Sequence, residues 1–81
     1  MSWKPRNSRP VAAERIKPRD LVLNSTCTTW FLISNVFVDK TDGTITLIGD
    51  EVLDVDERGR YTLGKMGQLN AVPGEKRVIG W

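Results

Sequence analysis

Short apolar stretches alternate with polar turns along this chain, and the longest of them is Trp30–Val38. A polar turn that contains Asp42 and Gly43 follows it, and the chain then returns through Thr44–Ile48, where apolar and polar residues alternate. β-branched and aromatic residues favour strands, and an Asp-Gly pair supplies the positive φ that a tight reversal needs. The pattern therefore predicts a β-hairpin over residues 30–48.

A second predicted hairpin follows directly. Val52–Asp56 and Tyr61–Leu63 flank a polar turn at residues 57–60, Leu21–Leu23 is a short strand ahead of both hairpins, and Val78–Trp81 is a candidate edge strand. Strands joined by short turns are typical of a small all-β domain. The inward positions predict a core of Leu21, Leu23, Trp30, Leu32, Val36, Ile45, Leu47, Leu53, Val55, Leu63 and Val78.

The strand Trp30–Val38 is apolar on both faces, which is unusual for an antiparallel strand with one face in water. Three interpretations are open. The strand bends across two layers with a bulge at Ser34 and Asn35, or a terminal segment covers its outer face. Alternatively, its outer residues form a partner surface, since exposed apolar patches often mark contacts.

Residues 16–23, Ile-Lys-Pro-Arg-Asp-Leu-Val-Leu, resemble the Leu-Lys-Pro-Gly-Asp-x-Val/Ile first strand of small bacterial and phage SH3-like β-barrels, with Arg19 at the usual glycine. Trp30 then opens the next strand and Asp42-Gly43 forms the following hairpin, so the resemblance covers residues 14–63. It implies an all-β, SH3-like barrel of about five antiparallel strands over residues 11–81. Many such modules bind nucleic acid or another protein, so the resemblance implies binding rather than catalysis.

Composition limits the remaining possibilities. The 81 residues allow one domain, the single Cys27 cannot form an internal disulfide, and no apolar run matches a membrane span or a signal-peptide core. We therefore expect a cytoplasmic protein with no membrane partner. The chain has no histidine, and its carboxylates lack the spacing of a calcium loop. We expect no enzyme activity, no metal, no cofactor and no small-molecule substrate.

Residues 1–10 contain two prolines and three cations with little apolar content, which predicts a flexible basic arm ahead of the barrel. Cations on a mobile segment suit phosphate contacts, and an aromatic ring beside them can stack on a base. The tip of the second hairpin adds two arginines and a tyrosine. The first hypothesis is therefore binding of DNA or RNA by Trp3, Lys4, Arg6, Arg9, Arg58, Arg60 and Tyr61.

The alternative hypothesis is a phage-type protein-interaction module that regulates a larger host protein or forms part of a particle. Its surface joins the outer residues of Trp30–Val38 to an acidic edge, because residues 39–57 carry seven acids against one lysine. Carboxylates in such a cluster can imitate the spacing of phosphates. The residues predicted for this surface are Phe31, Ile33, Phe37, Asp50, Glu51, Asp54, Asp56 and Glu57.

Overall fold

A computed structural model describes residues 3–81 as one antiparallel sheet of six strands. The strands are β1 (Ser8–Ala12), β2 (Leu21–Leu23), β3 (Trp30–Val38), β4 (Ile45–Val55), β5 (Tyr61–Ala71) and β6 (Lys76–Gly80), with a 3-10 turn at Ala13–Arg15. Their order in the sheet is β1-β6-β2-β3-β4-β5, so the all-β prediction is confirmed. The predicted closed barrel is wrong, because within residues 3–81 β1 and β5 remain the two edges of the sheet. No helix in this part of the chain is long and apolar enough to cross a membrane.

The pattern predicts β2 and β3 better than the other strands. β2 and β3 have the predicted bounds, and the glycines of both predicted hairpin turns have positive φ, 78° at Gly43 and 80° at Gly59. β4 is one strand where the pattern predicted two, because Gly49 and Asp50 continue the pairing with β5. β5 likewise extends far beyond Leu63. Its glycines have low strand propensity, and they are part of the strand because β5 pairs with β4 along this stretch.

The predicted flexible arm is wrong at its C-terminal end, because residues 8–10 belong to β1. This strand pairs with β6, and just before it the backbones of Asn7 and Trp81 exchange two hydrogen bonds of 3.1 and 3.0 Å. The sequence pattern does not predict this strand because it contains Pro10. Proline lacks an N–H and is tolerated mainly at a sheet edge. Residues 1 and 2 of the predicted arm lie outside the described residues.

A bulge explains why β3 is apolar on both faces. The pairing of β3 with β4 shifts between Ile33 and Asn35, and the Ser34 hydroxyl donates a hydrogen bond to the Ile48 carbonyl at 3.1 Å. The extra residue reverses the alternation, so Ile33 and Val36 lie on the same face. The predicted bulge is therefore confirmed, whereas the two barrel layers that the strand was expected to join are not, because the sheet is not closed.

Each face of the sheet carries one apolar cluster. The inner face holds the larger cluster, and the 3-10 turn covers it; its buried members are Ala13, Ile16, Val22, Ile33, Ile45, Leu47, Leu69 and Ala71. The outer face holds a smaller cluster of Leu21, Trp30 and Val52. Trp3 packs against the outer cluster together with Leu32, so the segment before β1 covers part of this face.

Most of the predicted core is at least half-buried, with two exceptions. Leu53 is 50% exposed and Leu63 is 44% exposed. The β4–β5 pairing shifts on both sides of Val52, and the pairing of β3 with β4 ends at Glu51. Residues 52–55 and 61–63 therefore form a two-stranded ribbon without a third strand, and two strands alone bury little surface. We call this segment the β4–β5 ribbon.

Candidate nucleic-acid interface

A basic groove of about 740 Å³ lies beside β1, the 3-10 turn and the start of β6. Four cations and one carboxylate, Asp20, line it; the cations are Arg9, Arg15, Lys17 and Lys76. The cations come from three separate segments of the chain, which the β1–β6 pairing brings together. Cations that converge on one cleft raise the local concentration of an anionic ligand. We call this surface the basic groove.

The carboxylates around the basic groove are engaged within the protein. Asp20 Oδ2 accepts a hydrogen bond from the Lys17 backbone N–H at 3.0 Å. Both carboxylate oxygens of Glu14 accept from the Gly74 N–H, at 2.8 and 3.2 Å. Glu75 pairs with Arg77 at 3.0 Å, which is the one ion pair among residues 3–81. The groove cations therefore have no carboxylate partner in the described chain.

Trp81 adds an aromatic ring beside the basic groove. The β1–β6 register, continued by the backbone bonds between Trp81 and Asn7, places its side chain on the same face as Arg9 and Ile79. The Arg9 guanidinium carbon lies 5.8 Å from the Trp81 ring centroid, within cation–π range. Trp81 remains 58% exposed, so an accessible ring adjoins the cations.

The residues predicted near the N-terminus lie in three different surroundings. Arg9 lines the basic groove, whereas Lys4 and Arg6 are exposed on the segment ahead of β1. Trp3 and Tyr61 contact each other edge to face, with ring centroids 6.1 Å apart. Because Trp3 also packs on the outer cluster, it is a packing residue, and its predicted role as an open stacking ring does not fit its surroundings.

Arg58 and Arg60 lie at the tip of the β4–β5 ribbon, where carboxylates accompany them. Arg58, Arg60, Asp56 and Glu57 line one small cleft of about 270 Å³. Asp56 Oδ1 accepts the backbone N–H groups of Arg58 and Arg60 at 2.9 and 2.8 Å, so its carboxylate holds the turn. Mixed charge at this tip gives phosphate less attraction than the basic groove provides.

Three residues of the basic groove and its border were missed from the sequence: Arg15, Lys17 and Trp81. The concentration of cations in residues 1–19 was a visible signal for the first two. Nothing local connects them with Lys76 or Trp81, because only the pairing of β1 with β6 places the chain ends together.

The predicted apolar partner surface is wrong as a single patch. Ile33 is 1% exposed in the inner cluster, and Phe31 is half-buried against that cluster. Phe37 is 56% exposed, and its pairing with Thr46 after the bulge places it on the outer face. The bulge therefore places Phe37 on the opposite face of the sheet from Phe31 and Ile33.

The predicted acidic edge is also dispersed. Asp50 and Glu51 are half-buried neighbours on opposite faces of β4, and Asp54 Oδ1 accepts the Val55 N–H at 2.8 Å. Asp56 holds the turn, and Glu57 is exposed beside it. Across residues 3–81, no group of three histidine, cysteine, aspartate or glutamate side chains could hold a metal ion.

Comparison with known proteins finds no relative, since no protein family, curated protein or solved structure matches this chain. The geometry and charge of the basic groove are therefore the basis on which a function is proposed.

Proposed function

We propose that this protein binds DNA or RNA through contacts between the cations of the basic groove and the phosphate backbone. The observation that carries the proposal is the convergence of Arg9, Arg15, Lys17 and Lys76 on one groove. None of these four cations forms an ion pair within residues 3–81, and they outnumber the one carboxylate in the groove lining, Asp20. Neutralising phosphates releases condensed counterions, which gives affinity for any sequence.

The proposed site includes the predicted cations near the N-terminus and leaves out those of the second hairpin. Arg9 stays as a phosphate contact, and Lys4 and Arg6 add positive charge from the exposed segment before β1. Arg58 and Arg60 are not assigned to the site, because acids share the ribbon tip with them. The backbone carries no base identity, so binding of this kind does not distinguish sequences.

The kinship with SH3-like modules is also a proposal. Arg19 supports it: the residue that stands at the motif's glycine has a φ of 79°, the left-handed conformation that glycine adopts readily. The Arg19 N–H bonds to the Ile33 carbonyl, which ties this turn to β3. An opened relative of the SH3-like barrel fits these observations and the edges left at β1 and β5.

Fluorescence anisotropy with a labelled single-stranded oligonucleotide, measured across a salt series, tests the proposed function. Arg15→Gln/Lys17→Gln removes two charges from the basic groove, and Arg58→Gln/Arg60→Gln removes the same charge from the ribbon tip. All four side chains are exposed, so both variants should fold. For single strands the log–log salt slope is about −0.7 per neutralised phosphate, so the groove variant should flatten it by about 1.4.

The tip variant is the matched control and should leave the slope and the affinity nearly unchanged. Equal losses in the two variants would contradict the basic groove as the site. If the intact chain fails to bind at low salt, the nucleic-acid function itself is wrong.

A protein partner is the second candidate function, and the outer face of the β4–β5 region favours it. Leu63 and Met66 are 44% and 73% exposed there, and the register places both on the face of Val52. Phe37 lies on the same face at the other end of the sheet. Exposed apolar residues along one face often mark contacts, so this surface replaces the predicted patch around Ile33.

A further inference from the structure

We infer that the basic groove takes single-stranded rather than paired nucleic acid, and that Trp81 stacks on one of its bases. This deepens the proposed function and rests on it, because the phosphate contacts are those of the same groove. Trp81 would contact a different part of the ligand, the base.

Trp81 differs from the other two tryptophans in its surroundings. Trp30 is 8% exposed in the outer cluster, and Trp3 packs on that cluster and against Tyr61. Trp81 is 58% exposed beside the basic groove. Its backbone N–H and carbonyl both bond to Asn7, which fixes the chain that carries the ring. A ring held in place loses little conformational entropy when a ligand binds.

The contact between Arg9 and Trp81 places phosphate recognition and base recognition side by side. Arg9 lines the basic groove, and its guanidinium carbon lies 5.8 Å from the ring centroid. A strand whose phosphate meets Arg9 therefore has a neighbouring base within reach of the indole. Aromatic rings beside a cationic track are the usual platform for single strands, because every base has a face to stack.

A duplex suits this surface less well. The faces of paired bases are covered by their neighbours in the stack, so Trp81 would have no base to contact. The element with the shape to enter a major groove is the two-stranded β4–β5 ribbon. Its three acids, Asp54, Asp56 and Glu57, outnumber the two arginines at its tip and weaken its attraction for phosphate. Charge and shape therefore favour a single strand in the basic groove.

Three probes with equal numbers of phosphates test the inference by anisotropy: a single-stranded oligonucleotide, a strand built of abasic sites, and a duplex. The intact chain should bind the base-bearing single strand about tenfold more tightly than the abasic strand, as expected for one stacked base. Trp81→Ala should remove this preference, so that the base-bearing and abasic strands bind with equal affinity. Trp81→Phe should restore part of it.

Phe37→Ala is the matched control, because it removes another exposed ring that lies outside the groove lining. It should leave all three affinities unchanged. Equal binding of base-bearing and abasic strands by the intact chain would overturn the stacking role while phosphate binding stands. A preference for the duplex would overturn the single-strand assignment. Failure to bind any of the probes would overturn this inference together with the proposed function.

Discussion

Gly49 is the position where one added methyl group tests the packing of β3 against β4. It is buried in β4 and lies opposite Ile33, beside the bulge in β3. A Cβ at this position meets the Leu32 carbonyl oxygen and lies 2.9 Å from the Leu32 carbonyl carbon and 3.0 Å from the Ile33 Cα. These neighbours are backbone atoms and cannot rotate away. We therefore predict that Gly49→Ala destabilises the fold.

The expected magnitude is the difference between two opposing effects. An extra methyl group in a packed interior costs roughly 1–3 kcal/mol, and the upper part of that range applies because backbone must move. Replacing glycine also restricts the unfolded chain, which stabilises the fold by roughly 0.4–1 kcal/mol. The free energy of unfolding should fall by about 2 kcal/mol, which lowers the Tm of a domain this size by roughly 8–16 °C.

Thermal unfolding followed by circular dichroism measures this change, and Gly64→Ala is the matched control in the neighbouring strand. A Cβ at Gly64 meets the side-chain ends of Glu51 and Leu53, which can move aside. The control should therefore leave the free energy of unfolding unchanged or raise it by up to about 1 kcal/mol, since it keeps the effect on the unfolded chain without the backbone clash. A Gly49→Ala protein that melts at or above the wild-type temperature would refute the close approach of β3 to Gly49.

Two other substitutions test the inner cluster and the bridge between β5 and β6. Leu47 is fully buried, so Leu47→Ala should lower the free energy of unfolding by roughly 2–5 kcal/mol in a denaturant titration; an unchanged midpoint would place Leu47 outside the core. Arg77→Met keeps an apolar stem but removes the 2.6 Å hydrogen bond from the guanidinium to the Asn70 carbonyl, together with the 3.0 Å ion pair to Glu75. A charged hydrogen bond contributes roughly 1.5–3 kcal/mol, and a variant as stable as the wild type would show that the bridge adds nothing.

Local residues were enough to predict the hairpins. Gly43 and Gly59 have the positive φ expected of hairpin turns, and β3 has its predicted bounds, because a hairpin pairs neighbours in sequence. In the first of these turns Asp42 accepts a hydrogen bond from the Thr44 N–H at 2.9 Å. Hydrogen bonds from Thr44 lower the pKa of Asp42, as expected for a carboxylate that holds a turn in its charged form.

The sequence-based predictions are wrong for segments whose structure depends on pairing with residues far away in the sequence. Alternation alone assigns Ile33 to the face opposite Val36, and only the pairing with β4 shows the extra residue that unites them. Ser8–Ala12 has no strand pattern and contains Pro10, so it becomes a strand through its pairing with β6. Half of the candidate site depends on that pairing, which explains why Arg9 was predicted on a flexible arm.

The connection between β5 and β6 gives a physical reason for the position of the basic groove. Three strands separate β5 from β6 in the sheet, which is roughly 19 Å if the sheet were flat. The chain from Ala71 to Lys76 spans at most about 17 Å when fully extended. It is shorter still here, because the Glu75 N–H bonds to the Val72 carbonyl at 3.1 Å within a turn.

The sheet must therefore coil until the end of β5 approaches β6, and the hydrogen bond from Arg77 to the Asn70 carbonyl spans the remaining gap. Coiling carries β6, with β1 paired to it, towards the 3-10 turn and the loop that leads to β2. The Ala13 N–H bonds to the Glu75 carbonyl at 2.8 Å, which holds the start of the 3-10 turn against the residue before β6. The basic groove lies between β1 and that loop, so its cations converge because the four-residue connection between β5 and β6 is short.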